Sequence, residues 1–136
     1  MKIYLSNEEL YSAAVAAREK SYCPYSKISV GAALLCDSGN LYTGANIENC
    51  AYSPSVCAER VAFFKAINAG EREFVAIAVA GGRLGEKPNA SFSPCGVCRQ
   101  VMAEFCNESF KIIFGKECEE NFANLLPYSF DKEHVK

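Results

Sequence analysis

Two stretches of this chain follow one plan, and they constrain its fold more than any other feature. The first is Ser53-Pro54-Ser55-Val56-Cys57-Ala58-Glu59-Arg60; the second is Ser93-Pro94-Cys95-Gly96-Val97-Cys98-Arg99-Gln100. In each, Ser-Pro stands just ahead of a segment with helical spacing, which is a helix-start signal. Cysteines are therefore expected at two helix N-termini. There the unpaired N–H groups and the helix dipole favour negative charge and lower a thiol pKa. Thiolate is the form that binds metal. A fold that aims both helix starts at one point gathers three thiolates, from Cys57, Cys95 and Cys98.

Cys95 and Cys98 are three positions apart and share a face of the first helical turn. Cys57 lies far upstream, and only the tertiary fold can bring it in. Three cysteines match a catalytic zinc site, which keeps its fourth position open, whereas structural sites close with four protein ligands. Glu59 follows Cys57 by two positions. In a regular helix such positions diverge by about 200°. Both can face the metal only if Cys57 sits at the cap, before regular helix begins. Glu59 then leans over the metal's water without ligating it, placed to take a proton and deliver it elsewhere. Three thiolates leave zinc a weaker Lewis acid than a set with neutral His, so Arg60 or Arg99 is expected to donate hydrogen bonds to the sulfurs. Each residue also has a plainer reading. A lone Cys-x-x-Cys serves redox or structural zinc sites as well. Glu59 suits any first helical turn, Arg60 a surface ion pair, Asn46 and Glu48 a turn, and Phe130 a core.

The chain has 136 residues, half of them apolar, which predicts one domain with its own core. Its 14 Lys and Arg against 16 Asp and Glu give a net charge of −2, which argues against a nucleic-acid partner. The longest charge-free apolar run, Phe74–Gly82, is too short to span a bilayer. No signal peptide is expected, because Glu8 and Glu9 arrive before an apolar stretch forms. A reducing compartment follows, so the eight cysteines are read as reduced. The five outside the two motifs (Cys23, Cys36, Cys50, Cys106, Cys118) are read as packing residues.

Local patterns predict the order α-β-β-α-β-α-β-α. Ser6–Tyr22 is a helix opened by a Ser6/Glu9 capping box. Ser29–Leu35 and Leu41–Ile47 form a hairpin about the turn Asp37-Ser38-Gly39-Asn40. Cys57–Ala69 is a helix ended by Gly70. Phe74–Ala80 is a buried strand, Gly81–Ser93 a loop, Cys95–Cys106 a helix, Phe110–Phe114 a strand and Asn121–Leu126 a short helix. The charged tail beyond Phe130, with the only histidine, His134, is expected to be loose and solvated. Such alternation implies an α/β fold with helices on both faces of a sheet.

Cys57-Ala58-Glu59-Arg60 together with Pro94-Cys95-Gly96-Val97-Cys98-Arg99-Gln100 resembles the zinc-deaminase signature, with Cys where His often stands. The match extends to Tyr25-Ser26-Lys27, Val30-Gly31-Ala32-Ala33-Leu34, Asn46-Ile47-Glu48-Asn49, Ala51-Tyr52-Ser53, and Leu125-Leu126-Pro127 with Phe130. Over residues 8–130 the chain resembles the small homotetrameric cytidine deaminases. That resemblance implies a three-layer α/β/α sandwich around a central mixed sheet of about five strands. It implies one Zn2+ per chain on Cys57, Cys95 and Cys98, with Glu59 as proton shuttle. Asn46 and Glu48 would bind the ribose, and the Ala58 N–H the pyrimidine carbonyl. Phe130 and Tyr52 would reach a neighbouring subunit's site. The family usually carries Phe against the pyrimidine where Ile28 stands, so a weaker hold on the base is expected here. The implied reaction is hydrolysis of cytidine and deoxycytidine to uridine and deoxyuridine, in cytoplasmic pyrimidine salvage. A related deaminase for another cytosine nucleoside, and a non-catalytic zinc-stabilised module, are the alternatives.

Overall fold

Ile28–Cys36 (β1) is buried at every residue after the first, as a strand covered on both faces must be. Its side chains divide by parity. Val30, Ala32, Leu34 and Cys36 enter one apolar core, and Ala33 and Leu35 enter another. Phe74–Arg83 (β3) divides likewise, with Ile77 and Val79 on the first side and Ala76, Ala78 and Ala80 on the second. In a computed structural model of the chain, residues 5–136 are described. Residues 1–4, part of the stretch on which the reading of no signal peptide rests, lie outside them.

The remaining elements are α1 (Asn7–Ala17), β2 (Leu41–Ala45), α2 (Ala58–Asn68), α3 (Gly96–Phe105), β4 (Lys111–Gly115), β5 (Cys118–Asn121) and α4 (Phe122–Leu125), with 3-10 turns at Arg18–Lys20 and Lys132–Val135. The strands form one mixed sheet in the order β2-β1-β3-β4-β5. β1 is antiparallel to β2 and β3, β3 is parallel to β4, and β4 is antiparallel to β5. The parallel pair needs a crossover, which α3 provides. The first core faces α2 (Ala58, Ala62, Phe63, Ala66) and Met102 of α3, and the second faces Leu10 and Ala14 of α1. This is the expected α/β/α sandwich. No helix among the described residues is long and apolar enough to cross a membrane.

Two glycines set the layer spacing. A Cβ on Gly31 would lie 2.0 Å from the Ala14 carbonyl oxygen, and one on Gly44 would lie 2.5 Å from that of Ala58. Helices α1 and α2 therefore rest directly on bare strand backbone. The second contact fixes the N-terminal turn of α2.

The structure amends the sequence reading in five places. Helix α1 opens on the Ser6/Glu9 capping box but stops at Ala17 rather than Tyr22. There Arg18 turns inward, and its guanidinium donates to the carbonyls of Ser29, Arg83 and Glu86 and to the Ser29 hydroxyl. Tyr22 instead bridges to Ile47. Strand β3 continues through Gly81 and Gly82 to Arg83, because β1 extends to Ile28 and pairs with it. Strand β5 has no counterpart in the local patterns. The C-terminal tail is a 3-10 turn capped by the Asp131 side chain, with His134 stacked on Phe130. Finally, Cys50 is exposed rather than packed.

Gly31→Ala is expected to destabilise the fold by about 3 kcal/mol or more, since backbone on both sides must move. Gly96→Ala meets open space in α3 and is expected to be neutral or to gain up to about 1 kcal/mol. Urea unfolding of the two variants checks the contrast.

Candidate active site

Cys57 and Cys95 are the N-cap residues of α2 and α3, in extended backbone at φ −75°, ψ 155° and φ −69°, ψ 170°. The cap position that the spacing of Cys57 and Glu59 demands is thus realised. A Ser, Thr, Asp or Asn cap turns its side chain onto the helix's own N–H groups. Neither cysteine does, so both sulfurs remain available. Cys98 follows in the first turn of α3 and is buried. Cys57 Sγ lies 3.6 Å from Cys95 Sγ, which lies 3.6 Å from Cys98 Sγ. All three sulfurs fall within 4.8 Å of one another, the only such group of candidate ligands among the described residues. Tetrahedral zinc at a Zn–S distance of about 2.3 Å spaces its sulfurs about 3.8 Å apart. The trio fits that ion.

The charges are arranged to match. Arg60 Nη2 donates to Cys57 Sγ at 3.5 Å. The neighbouring Cys98 thiol and the Arg60 guanidinium hold Cys57 down at about 5. Cys98 is pushed upward by the Cys57 thiolate and by burial. Without a cation, the charge on Cys57 thus opposes ionisation of Cys98. Glu59 is 3 % exposed. Burial raises its carboxyl to about 7, and the Cys57 thiolate adds to the rise. Glu59 Oε1 has no hydrogen-bond partner. A buried carboxyl oxygen without a partner is costly in a finished interior. In a site that receives a proton-bearing ligand it is the expected state.

Cys57, Cys95 and Glu59 open onto a cavity of about 370 Å³. Its wall also takes in Asn46, Glu48, Arg60 and Phe92. Asn46 is the hinge between β2 and the loop to α2: its Oδ1 accepts from Val30 N at 2.8 Å and its Nδ2 donates to Ile28 O at 2.9 Å. Glu48 Oε1 accepts from the N–H groups of Tyr25 and Ser26 at 3.0 and 3.1 Å, and its Oε2 from the Ser26 hydroxyl. The Ser26 hydroxyl, with those backbone amides, holds the Glu48 carboxyl below the usual range. Ala58 is the first residue of α2 and is fully buried. Tyr52, in left-handed backbone at φ 63°, is 74 % exposed and flanks a shallower depression shared with Glu48 and Tyr25.

Other expected site residues stand apart from the cavity. Arg99 touches no sulfur: its Nε donates to Pro94 O at 2.8 Å and its Nη1 to Leu125 O at 2.7 Å, which braces the turn before Cys95. Ile28 packs at the margin of the first core. Phe130 is exposed beside His134, tied by its carbonyl to Gln100. Phe92 was not singled out by sequence reasoning; it belongs to a loop without periodicity, and only the fold reveals its place. A larger cleft of about 710 Å³ lies at the C-terminal end of α3. Among the described residues its wall holds no close cluster of candidate metal ligands.

Residues 5–115 match the family model described as the cytidine and deoxycytidylate deaminase zinc-binding region. The chain belongs to this family. Relatives include a cytidine deaminase of Sporosarcina psychrophila, 50% identical over 132 residues, covering 94% of this chain and 93% of that protein. Another is a cytidine deaminase of Halalkalibacterium halodurans, 44% identical over 135 residues, covering 96% and 98%. The crystal structure of cytidine deaminase from Burkholderia pseudomallei superposes with a TM-score of 0.84 at 40% identity, covering 93% of this chain and all of that one. A zinc-binding deaminase family and a sulfur trio at zinc spacing thus agree on the metal.

Purified protein is expected to carry one zinc per chain. Cys98→Ala should lose it, while Cys106→Ala, outside the trio, should keep it. Atomic emission on the two variants decides between a three-sulfur site and adventitious metal.

Proposed function

We propose that this protein is a zinc-dependent cytidine deaminase that hydrolyses cytidine and deoxycytidine to uridine and deoxyuridine, as one domain over residues 1–136. The observation that carries the reading is the buried Glu59 carboxyl, its Oε1 without a partner, beside three sulfurs at the N-termini of two helices. Zinc on Cys57, Cys95 and Cys98 supplies Lewis acidity and activation of water.

The chain's own residues do the rest. Glu59 Oε1 accepts a proton from the attacking water and passes it to N3 of the cytosine ring as oxygen adds to C4. It then takes the remaining proton from the oxygen added at C4 and delivers it to the 4-amino nitrogen, and ammonia leaves as the C4 carbonyl forms. Burial makes this carboxyl a better proton acceptor than a solvated one, which suits the exchange. The Ala58 N–H, at the positive end of α2, holds the pyrimidine carbonyl. Asn46 and Glu48 bind the ribose hydroxyls. The Glu48 carboxylate disfavours a phosphate nearby, which supports a free nucleoside over a nucleotide. Arg60 withdraws charge from Cys57, and Arg99 holds the Cys95 turn.

In this reading the protein acts in cytoplasmic pyrimidine salvage as a homotetramer. Tyr52 and Phe130, both large and exposed, then meet a neighbouring subunit and complete its site.

Glu59→Gln is expected to keep zinc and fold while lowering turnover by roughly 10²–10⁴. Ultraviolet monitoring of cytidine, with zinc content in parallel, tests this; a non-catalytic module would show no turnover in either form. Arg60→Gln is expected to reduce turnover more than zinc content. Full activity in that variant would remove Arg60 from the charge balance.

A further inference from the structure

The cavity wall carries one aromatic ring that the mechanism above does not use. Phe92 lies in the loop between β3 and α3, three residues before Cys95, and lines the cavity together with Cys57 and Glu59. The ring is fixed from behind by β3. A Cβ on Gly81 would stand 2.6 Å from Phe92 Cδ1 and 2.7 Å from its Cε1 and Cγ. Strand and ring touch so closely only because Gly81 has no side chain. The Phe92 N–H donates to Phe114 O at 2.7 Å, which ties the loop to β4. The side chain is half-buried and packs on the first core. No other aromatic side chain lines this cavity among the described residues; the further apolar side chains are those of Val30 and Val56.

We propose that Phe92, backed by Gly81, is a substrate-binding residue of the site, the surface on which the flat face of the pyrimidine stacks. This rests on the deaminase reading above. A planar base leaving water needs a flat apolar partner, and stacking is available to any base through its π face. Position 28 is a weaker candidate: Ile28 is aliphatic, and its contacts are with the core. The pairing of a bare strand position with a loop phenylalanine sets the ring's height in the cavity. A substituent at position 81 would push the ring toward the substrate.

Steady-state kinetics of the zinc-loaded enzyme with cytidine, and competitive inhibition by uridine, test this. Phe92→Leu is expected to raise KM and the uridine inhibition constant about tenfold, equivalent to about 1.4 kcal/mol, with kcat changed less than about threefold. Phe92→Tyr, which keeps a ring, should recover most of the affinity. Ile28→Ala should cost less than Phe92→Leu. Gly81→Ala leaves the ring's chemistry intact but displaces it, so it should also raise KM, and the two changes combined should not add. Zinc content and melting temperature separate these effects from misfolding; if Phe92→Leu does not fold, the Gly81→Ala and Phe92→Tyr pair decides. An active wild type whose KM ignores both Phe92→Leu and Gly81→Ala overturns the assignment, as does a larger effect at Ile28. A wild type that leaves cytidine untouched overturns the deaminase reading, and this proposal with it.

Discussion

Three sulfurs within 4.8 Å of one another repel one another as soon as more than one is ionised, and this repulsion organises the site. Several neighbours offset that negative charge. Two helix N-termini face the trio. Arg60 donates to Cys57, and a divalent cation fits between the sulfurs. The same concentration of charge acts on Glu59, whose carboxyl is already raised by burial. The sulfurs and the carboxyl proposed to carry protons are therefore electrostatically linked. A change that makes the sulfurs more negative makes Glu59 more basic.

Such a cluster persists only on a stiff frame. Helix α2 cannot drift from the sheet, because Gly44 brings the backbone of β2 against Ala58 and Ala62. Helix α3 is held by Met102 in the first core and by Arg99, which clasps carbonyls of Pro94 and Leu125. The Cys-x-x-Cys turn thus has packing at one end and hydrogen bonds at the other. Arg18 plays a similar part across the sheet, joining the end of α1 to Ser29 of β1, Arg83 of β3 and Glu86 of the loop that follows.

The parts legible in the sequence are those whose physics is local. Ser6 and Glu9 announce a helix start, Gly70 a stop at φ 102°, and Asp37-Ser38-Gly39-Asn40 a hairpin. The geometry of Cys57 and Glu59 follows from helical periodicity alone, and the structure agrees. What was illegible depends on distant partners. Strand β5 reads Cys-Glu-Glu-Asn, an acidic edge without apolar alternation, and exists because β4 offers it hydrogen bonds. Gly81 and Gly82 look like loop residues, yet pairing with β1 keeps them in a strand. Phe92 carries no periodic signal; its position depends on the space Gly81 leaves, far away in local pattern though close in the fold. Arg60 and Arg99 seemed equivalent candidates for the sulfurs. Only the path of each side chain separates a sulfur donor from a carbonyl brace.

If Asn46 and Glu48 hold the sugar, as proposed, the structure keeps that side of the cavity ready. Both amide atoms of Asn46 are committed to the backbone of β1, at Val30 and Ile28. Both oxygens of Glu48 are committed to Tyr25 and Ser26. An Asn has a second N–H and a second lone pair, and a carboxylate has further acceptor sites. Ribose hydroxyls can therefore bind to the remaining capacity without dismantling existing bonds. The two side chains lose little freedom on binding, because their rotamers are already fixed. Their hydrogen bonds also anchor the loop between β2 and α2, so the groups proposed to hold the sugar help place Cys57. Weakening either one is then a change to the metal's surroundings as well as to the sugar's. In the proposed function, substrate recognition and metal geometry on this sheet edge are then parts of one hydrogen-bonded unit.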